Sequence, residues 1–264
     1  MTTPSSLERF SLAGKVVVLT GGAGLYGRGL TADLAAAGAT TVIASRNLDA
    51  CRKVADEENR NDGGRVVAET YDQSSEDSIR QLLERVLERF GRVDGLVNNA
   101  VARPAAGTRS QSEKWAQSLQ INGTGLLVMH RHFGEAMARQ ETGGSIVNIG
   151  SIYGVVGPHF DFYGNAPSLY PNPDYFFHKA GMVNLSRYYA ALFGPKGVRV
   201  NTLSPGGFYN GQEETFVANY TRETYLGRMG DPRDLGGPVV FLLSEAARYV
   251  TGVNLPVDGG FTAR

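Results

Sequence analysis

The sequence predicts an α/β fold, a doubly wound parallel sheet of about seven strands with helices on both faces, formed by residues 1–264 as a single domain. Three observations carry this reading. Short apolar runs alternate with longer helical segments along the whole chain, the order that parallel strands need for their crossovers. The apolar runs are nearly continuous, as in Lys15–Thr20 (KVVVLT), and strands covered on both faces read this way. A glycine run, Gly22-Ala23-Gly24-Leu25-Tyr26-Gly27, stands between the first run and the helix after it, where a tight strand-to-helix turn is needed.

In order, Lys15–Thr20 is a strand, Gly27–Ala37 a helix and Thr40–Ala44 a strand, which together read as a βαβ unit. A helix carrying Cys51 follows, with Asn47 as its cap. Arg65–Thr70 is the third strand, Ser75–Phe90 a helix and Gly95–Asn98 the fourth strand. A long helix is expected over Glu113–Ala138, with Ser110 and Glu113 in capping-box spacing, and then a strand over Ser145–Ile149. Tyr175–Leu192 is helical, Val198–Leu203 a strand, and Pro232–Leu243 a helix introduced by Asp231 with Pro232 at its first position. Asn254–Val257 is the last strand.

Composition narrows the function. Lys plus Arg and Asp plus Glu both number 26, so no overall field attracts nucleic acid or an anionic membrane. No apolar run approaches a membrane span and residues 1–10 lack a signal pattern, so a cytoplasmic protein acting on a small molecule is expected. The only cysteine, Cys51, has no disulfide partner and falls in a polar helical stretch, which suggests an inert thiol. His130 and His132 are two apart on a helix, point in different directions and are not read as a metal pair; no metal is expected. Trp115, at helical spacing from Leu119, is expected to pack in a helix interface.

The glycine turn points to a dinucleotide. Preceded by Thr20-Gly21 and followed by a helix, Gly21, Gly24, Leu25, Tyr26 and Gly27 place free backbone N–H groups of a helix N-terminus where a pyrophosphate would sit. The end of the second strand distinguishes the nucleotides: an acidic residue there would bind the ribose hydroxyls of NAD, whereas Ser45 and Arg46 suit a 2′-phosphate. NADP is therefore favoured; if Arg46 is only a solvated surface residue, NAD is accepted as well. After the third strand, Asp72 and Gln73 offer contacts to the adenine, with Asp72 equally readable as a helix cap.

Tyr175 and Lys179 stand four apart on a helix and present a phenol and an ammonium on one face. A neighbouring cation favours phenolate and brings a Tyr toward useful acid–base chemistry.

With these motifs in order, joined by Asn98-Asn99-Ala100 after the fourth strand, Asn122, Ser151 after the fifth strand and Asn201–Gly206 (NTLSPG) after the sixth, the chain resembles the short-chain dehydrogenase/reductase family from Leu12 to Asp258-Gly259-Gly260. The resemblance implies a Rossmann-like oxidoreductase in which Tyr175 is general acid in reduction and base in oxidation. It implies that Lys179 tunes Tyr175 and holds the nicotinamide ribose, that Ser151 polarises the substrate oxygen, and that Asn122 holds a water linking Lys179 to solvent. Cofactor contacts are implied for Asn99, Ala100, Pro205, Gly206, Phe208 and Asn210, besides Tyr175 and Lys179, and a homotetramer is implied for the assembly. Three positions depart from the usual pattern: Leu25 and Val101 stand where Gly is common, and Asn210 stands where a Thr often touches the nicotinamide amide. The glycine spacing is closer to the family's extended, sugar-nucleotide-modifying branch, although the chain is too short for that branch's extra substrate domain.

Between Ser151 and Tyr175 lie 23 residues, Ile152–Asp174, an insertion by comparison with the short form of the family. Its prolines argue against regular helix, and its aromatic residues need something to cover. Both ends adjoin implied catalytic residues, so it is expected to wall the substrate site, with a second mobile flap over Phe208–Leu226. Ser151, Tyr153, His159, Tyr175 and Gly207 are the substrate-binding candidates. The polar residues His159, Asp161, Asn165, Asn210, Gln212 and Arg103 favour a sugar, sugar acid or polyol as substrate of an NADP-preferring alcohol–ketone dehydrogenase. The competing readings are a reductase of a hydrophobic cyclic ketone, a dinucleotide-binding sensor without catalysis, and an epimerase or dehydratase of a nucleotide sugar.

Overall fold

The computed structural model describes residues 5–62, 65–105, 107–163 and 170–263. Its centre is one sheet of seven parallel strands: β1 (Val16–Thr20), β2 (Thr40–Ser45), β3 (Arg65–Thr70), β4 (Gly95–Asn98), β5 (Gly144–Ile149), β6 (Val198–Pro205) and β7 (Asn254–Val257). The order is β3-β2-β1-β4-β5-β6-β7. β1 pairs with both β2 and β4, with Val18 opposite Val42 on one side and Leu96 on the other. The direction of winding reverses there, and the C-terminal ends of β1 and β4 leave a crevice.

Helices α1 (Leu25–Ala36), α2 (Leu48–Asp62) and α8 (Arg233–Leu243) cover one face, and α3 (Glu76–Phe90), α5 (Gly125–Ala138) and α6 (Pro173–Phe193) the other. Side chains alternate across the strands. Val16 and Val18 enter the core with Ile79, Met129 and Phe133, while Val17 and Leu19 enter the opposite core with Leu30, Leu34 and Val239. Cys51 belongs to this second core, so it lies inside the fold and not on a polar surface. Burial raises its thiol pKa, and its Sγ lies 3.2 Å from Ser45 Oγ. Among the described residues no helix is long and apolar enough to cross a membrane.

Element order agrees with the sequence reading, with four local differences. The helix expected over Glu113–Ala138 is divided into α4 (Ser112–Ser118), a wide π-type turn (Leu119–Thr124) and α5. The cause lies in close tertiary approach: a Cβ on Gly125 would meet Gln73 O at 2.2 Å, and the Asn122 amide pairs with the Ala102 backbone. The cap of α4 is Gln111, in extended conformation, so the Ser110–Glu113 box does not set its start. Pro232 is the cap of α8 and not its first residue, while Asp231 Oδ1 accepts from Arg233 N at 2.9 Å. Asn47 does cap α2, its Oδ1 accepting from Ala50 N at 3.0 Å. The expected flap contains a helix, α7 (Glu214–Glu223), held by buried Tyr220.

His130 is fully buried and shows how the core depends on pH. Its Nδ1 donates to Leu126 O at 2.8 Å, which leaves Nε2 to accept from Asn148 Nδ2 at 3.0 Å. Burial pushes its pKa down to about 4. The folded state therefore binds the proton more weakly than the unfolded chain, and the stability that comes with a neutral His130 is present above pH ~6.5 and lost as the pH falls toward 4. Urea unfolding at pH 7 and pH 4.5 should differ by about 2–3 kcal/mol more in the wild type than in His130→Gln. His132 lies on the surface beside Glu76.

Candidate active site

The glycine turn is shaped by contact. Gly21 has φ +68°, a Cβ on Gly22 would meet Ile43 Cβ at 2.5 Å, and one on Gly27 would meet Gly21 O at 2.1 Å. The turn is pinned to β4: Asn99 Nδ2 donates to Thr20 O (2.9 Å) and Gly21 O (3.2 Å), and the Asn99 and Ala100 N–H groups both donate to Thr20 Oγ1 at 3.0 Å. Gly24 caps α1 with no side chain over its first N–H groups. These free donors face a cleft of about 570 Å³.

Gly21, Gly24, Leu25, Tyr26, Ser45, Arg46, Asp72, Gln73, Asn99 and Ala100 all line this cleft. Gly27 lies beneath the turn as a packing residue. Asp72 accepts from Ser74 N (2.9 Å) and Ser74 Oγ (2.7 Å), bonds that hold its carboxyl below the usual range, so it does cap a turn while it borders the cleft. Gln73 donates to Ile121 O at 2.9 Å and ties the cleft to the π-type turn. Gly206 and Gly207 border a separate cavity of about 110 Å³ near Asp258. The chain after β6, which begins from Pro205, is clamped: Gly230 N donates to Gly207 O and Tyr209 N to Gly230 O, both at 3.0 Å. Phe208 is buried against the Tyr26 ring, 4.8 Å between centroids. Asn210 is exposed and its N–H donates to Gln212 Oε1 at 2.6 Å.

Beyond the cleft lie the acid–base candidates. α6 begins at Pro173 and carries Tyr175 in its first turn and buried Lys179 one turn later. Lys179 Nζ donates to Ile149 O at the end of β5 (2.6 Å) and sits 5.4 Å from the Tyr175 ring centroid. Burial lowers its pKa, with Tyr175 acting in the opposite direction. Ser151, two residues past Ile149 and buried, accepts from Tyr153 N at 3.1 Å. The turn that follows it presses on α6, since a Cβ on Gly154 would meet Lys179 O at 2.7 Å. Among the described residues no acceptor takes the Ser151 hydroxyl proton, and the Tyr175 hydroxyl makes no hydrogen bond. Asn122 is buried; both Nδ2 protons are taken, by Ala102 O (2.8 Å) and Ser118 Oγ (3.1 Å), and Oδ1 accepts from Ala102 N (2.9 Å).

The inserted segment packs as an aromatic wall. Tyr153 stacks on Phe176 at 4.4 Å and its hydroxyl meets that of Tyr163 at 3.2 Å. His159 stacks on Phe162 at 4.9 Å and meets Phe261 edge-on at 5.6 Å. Asn165 and Pro167 lie outside the described residues. Burial raises the phenol pKa of Tyr26, Tyr153 and Tyr163, and pushes Tyr220 up to about 12, so these neighbours remain protonated.

Two features were not legible beforehand. Arg103, in the loop after β4, lines the cleft and places its guanidinium 4.8 Å over the Tyr175 ring, so the phenol has two cations beside it. Ser118, Asp174 and His178 join Asn122 in a buried polar cluster. The repeat of the Tyr175–Lys179 spacing in Asp174–His178 was the available signal.

A family model described as enoyl-(acyl carrier protein) reductase matches residues 24–262. The chain is 35% identical over 264 residues to the 2,5-dichloro-2,5-cyclohexadiene-1,4-diol dehydrogenase of Sphingobium indicum, covering 96% of this chain and 98% of that protein. It is 34% identical over 259 residues to the L-rhamnose 1-dehydrogenase (NAD(P)(+)) of Azotobacter vinelandii, covering 94% and 97%. Among solved structures, a gluconate 5-dehydrogenase from Burkholderia cenocepacia in complex with NADP and tartrate superposes with a TM-score of 0.88 at 26% identity, covering 98% of this chain and 100% of that one.

Proposed function

The chain belongs to the short-chain dehydrogenase/reductase family, NAD(P)-dependent enzymes acting on CH–OH groups, and from this premise we propose that it interconverts an alcohol and a ketone on a sugar, sugar acid or polyol, with NADP(H) preferred over NAD(H). One observation carries the chemistry: the Tyr175 and Ser151 hydroxyls are both unspent, beside a Lys179 fixed on Ile149 O.

The glycine cradle fits the dinucleotide. A side chain at Gly22 or Gly27 would fill the space that brings backbone N–H groups to the cleft, and the α1 N-terminus suits a pyrophosphate. When bound, the nicotinamide supplies or accepts the hydride. Tyr175 gives its phenolic proton to the substrate oxygen in reduction and takes it back in oxidation. Lys179 and Arg103 set two positive charges beside the ring that carries the reacting oxygen. Ser151 donates its free hydroxyl proton to the same substrate oxygen and polarises it. The Asn122 side chain is engaged by Ala102 and Ser118, which leaves neither of its amide protons for the relay water that the resemblance assigns to it.

Arg46 at the cleft edge supports NADP(H). A charge-assisted hydrogen bond is worth about 1.5–3 kcal/mol, so Arg46→Ala should lower kcat/KM for NADPH roughly 10- to 100-fold. The value for NADH should stay within about threefold; equal losses for both would show that Arg46 does not read the 2′-phosphate. The hydroxyl pair of Tyr153 and Tyr163 and the cation of Arg103 supply polar contacts for a hydroxylated or acidic substrate, and relatives named for rhamnose and gluconate agree. The relative named for a cyclohexadiene diol, with the aromatic wall of Phe162, Phe216 and Phe261, favours a second reading, a cyclic diol or ketone. Parallel assays with keto-sugars, sugar acids and cyclic ketones separate the two; turnover of cyclic ketones alone would overturn the first.

A further inference from the structure

Ser118 Oγ is the hub of three hydrogen bonds. It lies 2.5 Å from Asp174 Oδ2, 2.9 Å from His178 Nε2 and 3.1 Å from Asn122 Nδ2. Chemistry assigns the directions. A hydroxyl has one proton and a carboxylate only accepts, so the Ser118 proton goes to Asp174. Ser118 must then accept from both others, which makes His178 the Nε2–H tautomer. Burial lowers the His178 pKa, with Asp174 opposing, in keeping with a neutral ring. Asp174 Oδ1 is buried without a partner, so the Ser118 hydroxyl is the only hydrogen bond held by this carboxylate among the described residues. The start of α6 adds its favourable dipole.

Place in the fold gives the cluster its meaning. Asp174 and His178 are one helical turn apart on α6, and each adjoins an acid–base residue, Tyr175 and Lys179. Ser118 ends α4 at the π-type turn, and Asn122 within that turn is bonded to the Ala102 backbone, one residue before Arg103. Two segments around Tyr175, α6 and the stretch from Ser118 to Asn122, therefore meet at one hydroxyl, and the loop before Arg103 joins them through Asn122.

We propose that Ser118, His178 and Asp174 are positioning residues, a buried bracket that sets the rotation of the first turn of α6 against the Asn122 turn and so aims the Tyr175 phenol. Its link to turnover rests on the acid–base role given to Tyr175 above. A displacement of about 1 Å at a reacting group can cost about 10²-fold in rate, so a bracket outside the reacting atoms can matter to kcat.

The test compares Ser118→Ala, His178→Leu and His178→Gln; the Gln amide returns an N–H donor close to the Nε2 position. The first readout needs no substrate: the tyrosinate absorbance titration of each protein minus that of the same protein carrying Tyr175→Phe. Ser118→Ala and His178→Leu should move the Tyr175 midpoint by about one pH unit, and His178→Gln should leave it near the wild type. The second readout is turnover of whichever keto-sugar, sugar acid or cyclic ketone the wild type reduces fastest with NADPH. There kcat should fall roughly 10- to 100-fold in the first two variants, with KM and NADPH Kd within about threefold and substantial recovery in His178→Gln. If Ser118→Ala does not fold, the two His178 variants decide. Variants that only lose thermal stability, with an unmoved Tyr175 titration and wild-type kcat, would overturn the proposal. If the wild type turns over none of these compounds, the reading of function fails, while the titration still decides the bracket.

Discussion

Replacing Tyr175 with Phe is expected to lower kcat by about 10²–10⁴-fold, the usual contribution of a positioned acid–base group. The ring beside Arg103 and Lys179 is retained, so NADPH affinity should change by no more than about threefold. Neighbouring phenols are poor substitutes, because burial raises the Tyr26 and Tyr153 pKa values and makes both weaker acids. Steady-state turnover together with NADPH fluorescence titration checks both parts. A variant retaining most of its kcat would remove Tyr175 from the mechanism.

The second large effect is expected at the other end of the cleft. Gly27→Ala places a Cβ 2.1 Å from Gly21 O and 2.7 Å from the Gly22 backbone, and neither neighbour is a flexible side chain that can swing away. The glycine turn must open or the first turn of α1 must retreat. Either movement withdraws backbone donors from the pyrophosphate position. With each charge-assisted bond worth about 1.5–3 kcal/mol, loss of two should weaken NADPH binding by about 10²-fold or more. Overpacking should also cost about 1–3 kcal/mol of stability. Calorimetric titration and urea unfolding measure the two losses separately; unchanged NADPH affinity would mean that the turn does not hold the cofactor.

What could be read from the sequence was what local rules govern. The glycine turn follows from the backbone needs of a strand-to-helix passage, and its contact with Ile43 is a consequence of the same βαβ unit. The Tyr175–Lys179 pair follows from helical spacing. The π-type turn at Asn122 was not legible, because its cause is the approach of Gly125 to Gln73 and of Asn122 to Ala102, contacts between segments distant in sequence. Ser118 stands 56 and 60 residues from its partners Asp174 and His178, so its role as a hub exists only in the folded chain. Arg103 was noted as a polar residue, but nothing in its loop placed it over Tyr175. Helix α7 was hidden by the Gly, Asn and Glu around it, although Phe216 and Tyr220 are at helical spacing and stack at 6.0 Å.

The most direct test of the central claim is coupled turnover: oxidation of NADPH monitored against product formation with keto-sugars, sugar acids and cyclic ketones in parallel, and the same series with NADH. One ketone or alcohol should form for each NADP(H) converted, faster with NADP(H) than with NAD(H), on a hydroxylated substrate, with turnover abolished in Tyr175→Phe. Tight binding of NADPH with no turnover of any of these compounds in the wild type would contradict it.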